Sequence, residues 1–444
     1  MQTTADAAAL AHTLSGRLER FLAPLLLRLD RAVDRRLVKT FAATISILLE
    51  QRYRASGLLL SELGAFLAGA EHAPAGTKRL SNLLRSPRWT SGLLHDFLWS
   101  QADARLRDLV CRDHDALLLW DESVLEKPES IALEGLSSVR SAQAQRLKRI
   151  RKGYYQPPAG APVFVPGMHW LALLLMGRSG APTLARMRWW SSRAPRNEQR
   201  REIETAVLQQ CRRAWGASVL HVFDRGFAGA PWLGELAEAG VRFVLRWPGH
   251  LRLQDLLGHE APAWQHGRGK PTRNHRLIWD AHLHAYRRMG VLSIPVRHPA
   301  CPHPLWLVIS RRGKGHTPWY LLTNEPAGHP GEAWKVVFAY ARRWQIEMSF
   351  RFSKSELAME SPRLWFWENR LKLLLMVSLA YAFLLSLLDP ELKGLRDRLL
   401  QRFCPRTGKR SRDASTPLYR LRTAIVFLAM STRTPLLPQL QSSG

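Results

Sequence analysis

Cysteine is scarce in this chain, and acidic residues are outnumbered. The four cysteines, Cys111, Cys211, Cys301 and Cys404, stand far apart in 444 residues. No pair has the spacing of zinc ligands or of a compact disulfide framework, so neither is expected, and the pattern fits a reducing cytosol. Lys and Arg number 65 against 36 Asp and Glu, a formal charge of +29 spread along the chain rather than held in a tail. Such a field attracts polyanions, nucleic acid foremost, with a membrane surface as the alternative. No internal repeat or low-complexity tract is present. Met1 to Ala9 is polar and acidic, unlike a signal peptide. One apolar run, Leu371 to Leu388, approaches membrane length, but it contains Lys372, Ser378 and Ser386 and continues a charged helix, so it reads as a buried core helix.

Hydrophobic residues are ample, at 46%, and the length predicts two or three domains. Residues 1–92 read as helical, with apolar periodicity in Leu37 to Leu49 and Leu58 to Leu67. Ser61 is placed to cap a short helix from Glu62, and a turn at 69–76 leads to a second helix opening with Lys78 and Arg79. That arrangement is compatible with a helix-turn-helix-like DNA contact and equally with a plain helical bundle.

From about residue 112 the pattern turns to strands. Ala116 to Trp120, Val165 to Met176 and Thr183 to Trp190 are strand candidates, followed by a helix over Asn197 to Trp215 and a strand over Ser218 to Phe223. Asp121 and Asp224 directly follow the first and fourth of these strands. Three strands, a helix and a fourth strand, with acids at those two ends, is the order of a ribonuclease H-like core. The loop from Val124 to Pro162 is long and basic, carrying Arg146, Lys148, Arg149, Arg151 and Lys152. Residues 248–316, rich in Pro, Gly, His, Arg and Trp, read as a β-rich insertion. Trp319 to Thr323 is a strand again, and a long helix is expected from Gly331. The end has a basic stretch over 404–417 and a last amphipathic helix from Leu418 to Met430.

The expected fold is therefore α/β. A ribonuclease H-like catalytic core (93–247 and 317–390) is divided by the insertion at 248–316 and flanked by helical regions over 1–92 and 391–444.

On the expected helix, Arg343, Glu347 and Lys354 follow Tyr340 by 3, 7 and 14 residues. At 3.6 residues per turn all four side chains fall within roughly 60° of one another. A carboxylate thus shares a face with two cations and a phenol. Sheet geometry brings strand ends from distant sequence positions together, so Asp121 and Asp224 can join Glu347. Three acids with no histidine or cysteine partner favour hard cations, Mg²⁺ or Mn²⁺, and two such ions suit phosphodiester displacement. Singly, each acid has an ordinary reading as a turn residue, a helix cap or a surface ion pair. Glu122 beside Asp121 is a competing ligand, but strand alternation sends neighbours to opposite faces, and Asp121 is the choice.

These residues resemble a family. Tyr340, Arg343, Glu347 and Lys354 match in full the Tyr-Arg-Glu-Lys signature of bacterial DDE transposases of the insertion sequence four family. Asp224-Arg225-Gly226-Phe227 resembles the Asp-Arg-Gly-aromatic motif around the second acid, and Asp121-Glu122-Ser123 is similar to the first. The resemblance spans about 116–357. It implies that Asp121, Asp224 and Glu347 are catalytic and hold two Mg²⁺ ions, with Mn²⁺ able to substitute. It further implies that Tyr340, Arg343 and Lys354 contact phosphates of the DNA; Arg225 and Arg351, and Lys78 and Arg79 of the helix-turn-helix-like region, are further DNA-binding candidates. Some relatives cleave through a hairpin with a flipped base stacked on aromatic residues. Trp247, Trp264, Trp279 and Trp306 are candidates for that platform, worth roughly 1–3 kcal/mol per base, with structural tryptophan as the ordinary reading of each.

The implied activity is cut-and-paste transposition. A homodimer would bind terminal inverted repeats, cleave them and join the 3′-hydroxyl ends to target DNA, in the bacterial cytoplasm at the nucleoid and away from membranes. The alternatives are a ribonuclease H-like structure-specific nuclease without strand transfer and a transposase-derived regulatory DNA-binding protein.

Overall fold

The apolar run that begins at Ala116 forms the strand around which a large mixed sheet is organised. The computed structural model describes residues 2–51, 57–112, 114–128, 130, 132–141, 162–280, 285–313, 316–405, 417–432 and 436–437. The basic residues 146–152 and most of the basic stretch near the C-terminus lie outside these.

Five helices come first: α1 (Gln2–Ala32), α2 (Arg35–Glu50), α3 (Leu60–Ala68), α4 (Ala73–Arg85) and α5 (Ser91–Cys111). Then follow β1 (Ala116–Glu126), β2 (Ser137–Arg140), β3 (Phe164–Gly177), β4 (Thr183–Trp190), α6 (Arg200–Trp215), β5 (Val219–Phe223), α7 (Ala230–Ala239) and β6 (Arg242–Arg246). β1 pairs antiparallel with β3 and parallel with β5; β5 pairs parallel with β6, and β4 adds antiparallel to β3. Taken in chain order without the short β2, the five strands lie 3-2-1-4-5 with the second reversed, which is the ribonuclease H-like arrangement.

The β-rich stretch does not form a separate sheet. β7 (Arg252–Gln254), β8 (Glu260–Pro262), β9 (Asn274–Asp280), β10 (Ala285–His298) and β11 (Cys301–Arg311) extend the core sheet through β12 (Trp319–Thr323), which pairs with both β11 and β6. Among the described residues the sheet has 12 strands.

Five helices follow: α8 (Pro330–Ala341), α9 (Trp344–Ser355), α10 (Trp367–Ser386), α11 (Lys393–Phe403) and α12 (Leu418–Thr432). α6 and α7 pack on one face of the sheet. α8, α9 and α10 pack on the other, in one apolar cluster with the N-terminal helices and α12.

α10 is the only helix among the described residues long and apolar enough to cross a membrane, and 83% of its apolar window is buried. Lys372, inside that window, donates to the carbonyls of Leu84 at 3.0 Å and Ser86 at 2.9 Å, where α4 ends. Glu368 accepts from the Ser91 backbone at 2.6 Å, at the start of α5. Polar groups in this helix therefore dock the N-terminal helices on the core, as free helix-end groups require.

Three local expectations change. Ser61 lies inside α3, whose N-cap is Leu59 with no side-chain cap bond, and α4 begins at Ala73. α3 and α4 cross backbone to backbone at Gly64 and Gly76, where a Cβ on Gly76 would lie 2.1 Å from the Gly64 oxygen. Lys78 and Arg79 face outward on α4. Asp121 is not at a strand end, because β1 runs on to Glu126 with β3 pairing it throughout.

The third change concerns the long helix from Gly331, which is two helices. At Arg342 and Arg343 the chain keeps right-handed dihedrals, but the amides of Arg343, Gln345 and Ile346 donate three residues back rather than four. This tightened join separates α8 from α9.

Candidate active site

Alternation along β1 sorts its side chains. Leu117 and Leu119 enter the apolar cluster shared with α8 and α9, whereas Leu118 and Trp120 enter the cluster on the opposite face. Asp121 is next in the first series and points toward α9, and Glu122 is next in the second. The parallel ladder of β1 with β5 ends at Trp120 and Phe223. The chain then turns through Asp224 into the 3-10 turn Arg225–Phe227.

α8 starts firmly: His329 caps it, Pro330 occupies its first turn, and Glu332 closes a capping box. Its last turn delivers Tyr340, which is 6% exposed. Tyr340 donates its hydroxyl to Asp224 Oδ1 at 3.1 Å, and its ring meets Trp319 edge-on with centroids 5.1 Å apart.

Arg343, at the join, touches all three acids. Its Nη1 donates to Asp121 Oδ2 at 3.1 Å, its Nε lies 3.8 Å from Asp224 Oδ1, and its Nη2 donates to Glu347 Oε1. Three carboxylates from a strand, the turn after another strand and a helix thus surround one guanidinium, the planar five-donor group suited to such a set.

The electrostatics follow from this crowding. Burial pushes the Asp121 carboxyl up to about 7; Arg343 opposes the shift, and Asp224 and Glu347 add to it. Burial also raises Tyr340, to about 12, so its hydroxyl remains a donor. For Arg343, burial disfavours the charge, but Tyr340 and the three carboxylates outweigh it and hold the guanidinium above its ordinary value.

Glu122 belongs to a separate cluster on the opposite face. Its Oε2 lies 2.7 Å from Arg200 Nη2, and Arg200 Nε lies 2.8 Å from Glu204 Oε1. Burial raises Glu122 as well; Arg200 opposes the shift and Glu204 adds to it.

Among the described residues no three His, Cys, Asp or Glu side chains are grouped closely enough to hold a metal ion as they stand. Asp121, Asp224 and Glu347 are spaced around a guanidinium rather than around a point charge. Their chemistry is nonetheless all carboxylate oxygen, held at a site where a cation already sits, and hard divalent ions take such ligands.

The other sequence candidates fall in several places. Lys354, seven residues beyond Glu347 and so roughly 10 Å along the helix, ion-pairs with Glu360 at 3.5 Å and stands outside the cluster. Arg225 and Arg351 are exposed. Trp247 is 1% exposed and packs in the core with His298 edge-on; it presents no face for a base. Trp264 is 44% exposed, with Arg268 over its ring. Trp306 is partly buried against the core, and the side chain of Trp279 lies outside the described residues.

Sequence reasoning missed Arg246, Arg312 and Trp319. Arg246 lies over the rings of both Trp319 and Tyr340 at 5.6 Å, and Arg312 over Trp319 at 4.6 Å. Only the register of β12 on β6, which sets Leu321 opposite Arg246, brings them beside Tyr340. Trp344, adjacent to Arg343, is 47% exposed.

Residues 189–383 match the family described as the transposase DDE domain. The match takes in Asp224, Tyr340, Arg343, Glu347 and Lys354 and begins after Asp121, which joins the set through the fold. No match is found among curated proteins. Among solved structures, the chain is similar to the piggyBac transposase in a synaptic complex with hairpin DNA, at 12% identity and a TM-score of 0.41, over 91% of this chain and 74% of that one.

Proposed function

We propose that this chain, whose residues 189–383 match the transposase DDE domain, is a DDE transposase that cuts an insertion sequence out of DNA and joins its ends to new DNA at the site built from Asp121, Asp224 and Glu347. The observation that supports this most is the single guanidinium of Arg343 contacting all three carboxylates. Nothing about a surface ion pair requires acids from β1, the turn after β5 and α9 to meet at one cation. A metal-dependent phosphodiester site does.

Asp121, Asp224 and Glu347 would hold two divalent ions, Mg²⁺ or Mn²⁺. Bound there, the ions supply activation of the attacking oxygen and neutralisation of the leaving one. The protein's own groups do the remaining work. Tyr340 fixes the rotamer of Asp224 by its hydrogen bond. Arg343 balances the acids in the free chain; when DNA arrives, its fork suits a phosphate as well as it suits a carboxylate, and it exchanges one for the other. Arg225, Arg351 and Lys354 add charge along the same approach, and Lys78 and Arg79 meet DNA from α4, as the net charge of +29 favours. Trp264, 44% exposed on the β-rich stretch, is a stacking candidate, and Trp306 and Trp279 remain candidates as well. The terminal inverted repeats and a homodimer on paired ends belong to this reading, as does membership of the insertion sequence four family, which the Tyr-Arg-Glu-Lys signature supports.

The test is cleavage of DNA carrying the inverted repeats that flank the gene. Mg²⁺-dependent cutting is expected in the native chain. Glu347→Ala should abolish it while leaving DNA binding intact, and full activity in that variant would sink the assignment.

A further inference from the structure

We propose that Arg200 is a positioning residue that holds Asp121 and Asp224 at their working separation from behind the sheet; this rests on the reading of those acids as metal ligands. The two acids stand where β1 and β5 part. Their last ladder pair is Trp120 with Phe223, and the next residue of each chain is the acid. β1 continues along β3 while the other chain turns away, so backbone pairing no longer fixes the gap between the two carboxylates.

Two arginines span that gap. Arg343 does so in front, reaching Asp121 at 3.1 Å and Asp224 at 3.8 Å. In the proposed reaction it releases them for phosphate and metal. Arg200 does so behind. Its Nη2 lies 2.7 Å from the Oε2 of Glu122, the residue after the first acid, and 3.2 Å from the carbonyl oxygen of Gly226, two residues after the second.

Arg200 is itself anchored. Its Nε bonds Glu204 at 2.8 Å; Glu204 is fully buried and also takes Arg201 at 2.8 Å. Arg200 is 46% exposed, but its partners Glu122 and Glu204 are 20% and 0% exposed, so removing it leaves buried carboxylates short of a cation and costs stability; metal affinity is the readout that separates alignment from that cost. Its contacts sit on the face away from the metal ligands, so they persist when Arg343 leaves. Groups that hold ligands in place typically change metal affinity by about 10–100-fold when removed.

The test removes the front bridge first. In DNA-free Arg343→Gln protein, Mn²⁺ binding is followed by electron paramagnetic resonance, with thermal unfolding in parallel. Adding Arg200→Met should lower the melting temperature, because Glu122 and Glu204 lose a buried partner, and, measured well below that temperature, should raise the Mn²⁺ concentration for half-saturation about tenfold. Glu122→Leu in the same background should reproduce the effect, and Glu122→Gln, which keeps an oxygen for Arg200, should recover most of the affinity. Glu122→Leu also serves if the Arg200 variant fails to fold. Unchanged Mn²⁺ affinity in both Arg200→Met and Glu122→Leu would overturn the proposal, as would equal losses in Glu122→Gln and Glu122→Leu. If Arg343→Gln binds no Mn²⁺, or Asp121→Asn in that background leaves binding unaltered, the metal reading fails and this inference with it.

Discussion

Arg343 donates a hydrogen bond to Asp121 at 3.1 Å across a sequence separation of 222 residues. The same guanidinium reaches Asp224 and Glu347, so the three acids of the proposed site share one positive charge supplied by the protein itself. A cluster of like charges in a partly buried site is costly unless compensated.

Removing that cation should expose the acids. Arg343→Gln is expected to melt at a lower temperature than the native chain and to gain more from added Mn²⁺, because an ion that binds the folded state stabilises it by mass action. Thermal unfolding with and without Mn²⁺ measures both. An Arg343→Gln protein indifferent to Mn²⁺ would contradict the expectation.

Asp121 should set a pH dependence of stability. Burial pushes its carboxyl up to about 7 from an ordinary aspartate value of 3.8, so over that window the folded state binds more protons than the unfolded one, and the residue's contribution falls as pH rises. Asp121→Asn cannot ionise. Its melting temperature relative to the native chain should therefore climb between about pH 4 and pH 7 and level off above that. A difference that stays flat with pH would show that Asp121 is not perturbed in this way.

Tyr340→Phe keeps the ring against Trp319 and deletes one hydrogen bond to Asp224. Hydrogen bonds to charged groups contribute about 1.5–3 kcal/mol, so a loss toward the lower end of that range is expected in denaturant unfolding, together with weaker Mn²⁺ binding as Asp224 gains rotameric freedom. Unaltered stability and affinity would assign the hydroxyl no role.

Lys372→Met should destabilise the chain although it places an apolar residue in an apolar helix. It strips a donor from the carbonyls of Leu84 and Ser86 and a cation from the face of Trp89, 4.6 Å away. Leaving buried acceptors unpaired costs about 1–3 kcal/mol. Equal or greater stability in the methionine variant would mean that water satisfies those carbonyls.

Much of this site was legible in the sequence, and the reasons are local. Asp121 and Asp224 follow apolar runs long enough to be strands, and alternation alone separates Asp121 from Glu122. The order of strands before residue 247 was readable because each run has its own turn residues. The break between α8 and α9 was not: Ala341 to Trp344 contains no Gly or Pro, and the tightened amide bonds leave no mark in composition. Glu347 and Lys354 both lie in α9, beyond the break, and share a face as expected; Lys354 stands apart because it is roughly 10 Å farther along the helix, where it pairs with Glu360. The pairing of Arg343 with the acids was equally hidden, since a cation near carboxylates reads the same whether it awaits phosphate or balances them. Arg246 and Trp319 needed the register of β12 on β6, and Arg200 needed the knowledge that Glu122 and Gly226 face one another behind the sheet.

The most direct test of the central claim uses linear DNA bearing the element's inverted repeats together with a target plasmid, incubated with the purified chain and Mg²⁺, and scored for both cut ends and joined product. Cutting and joining in the native chain, with both lost in Glu347→Ala while its DNA binding persists, is the predicted result. Cutting and joining that survive in Glu347→Ala, or native protein that binds the ends and neither cuts nor joins them, would contradict it.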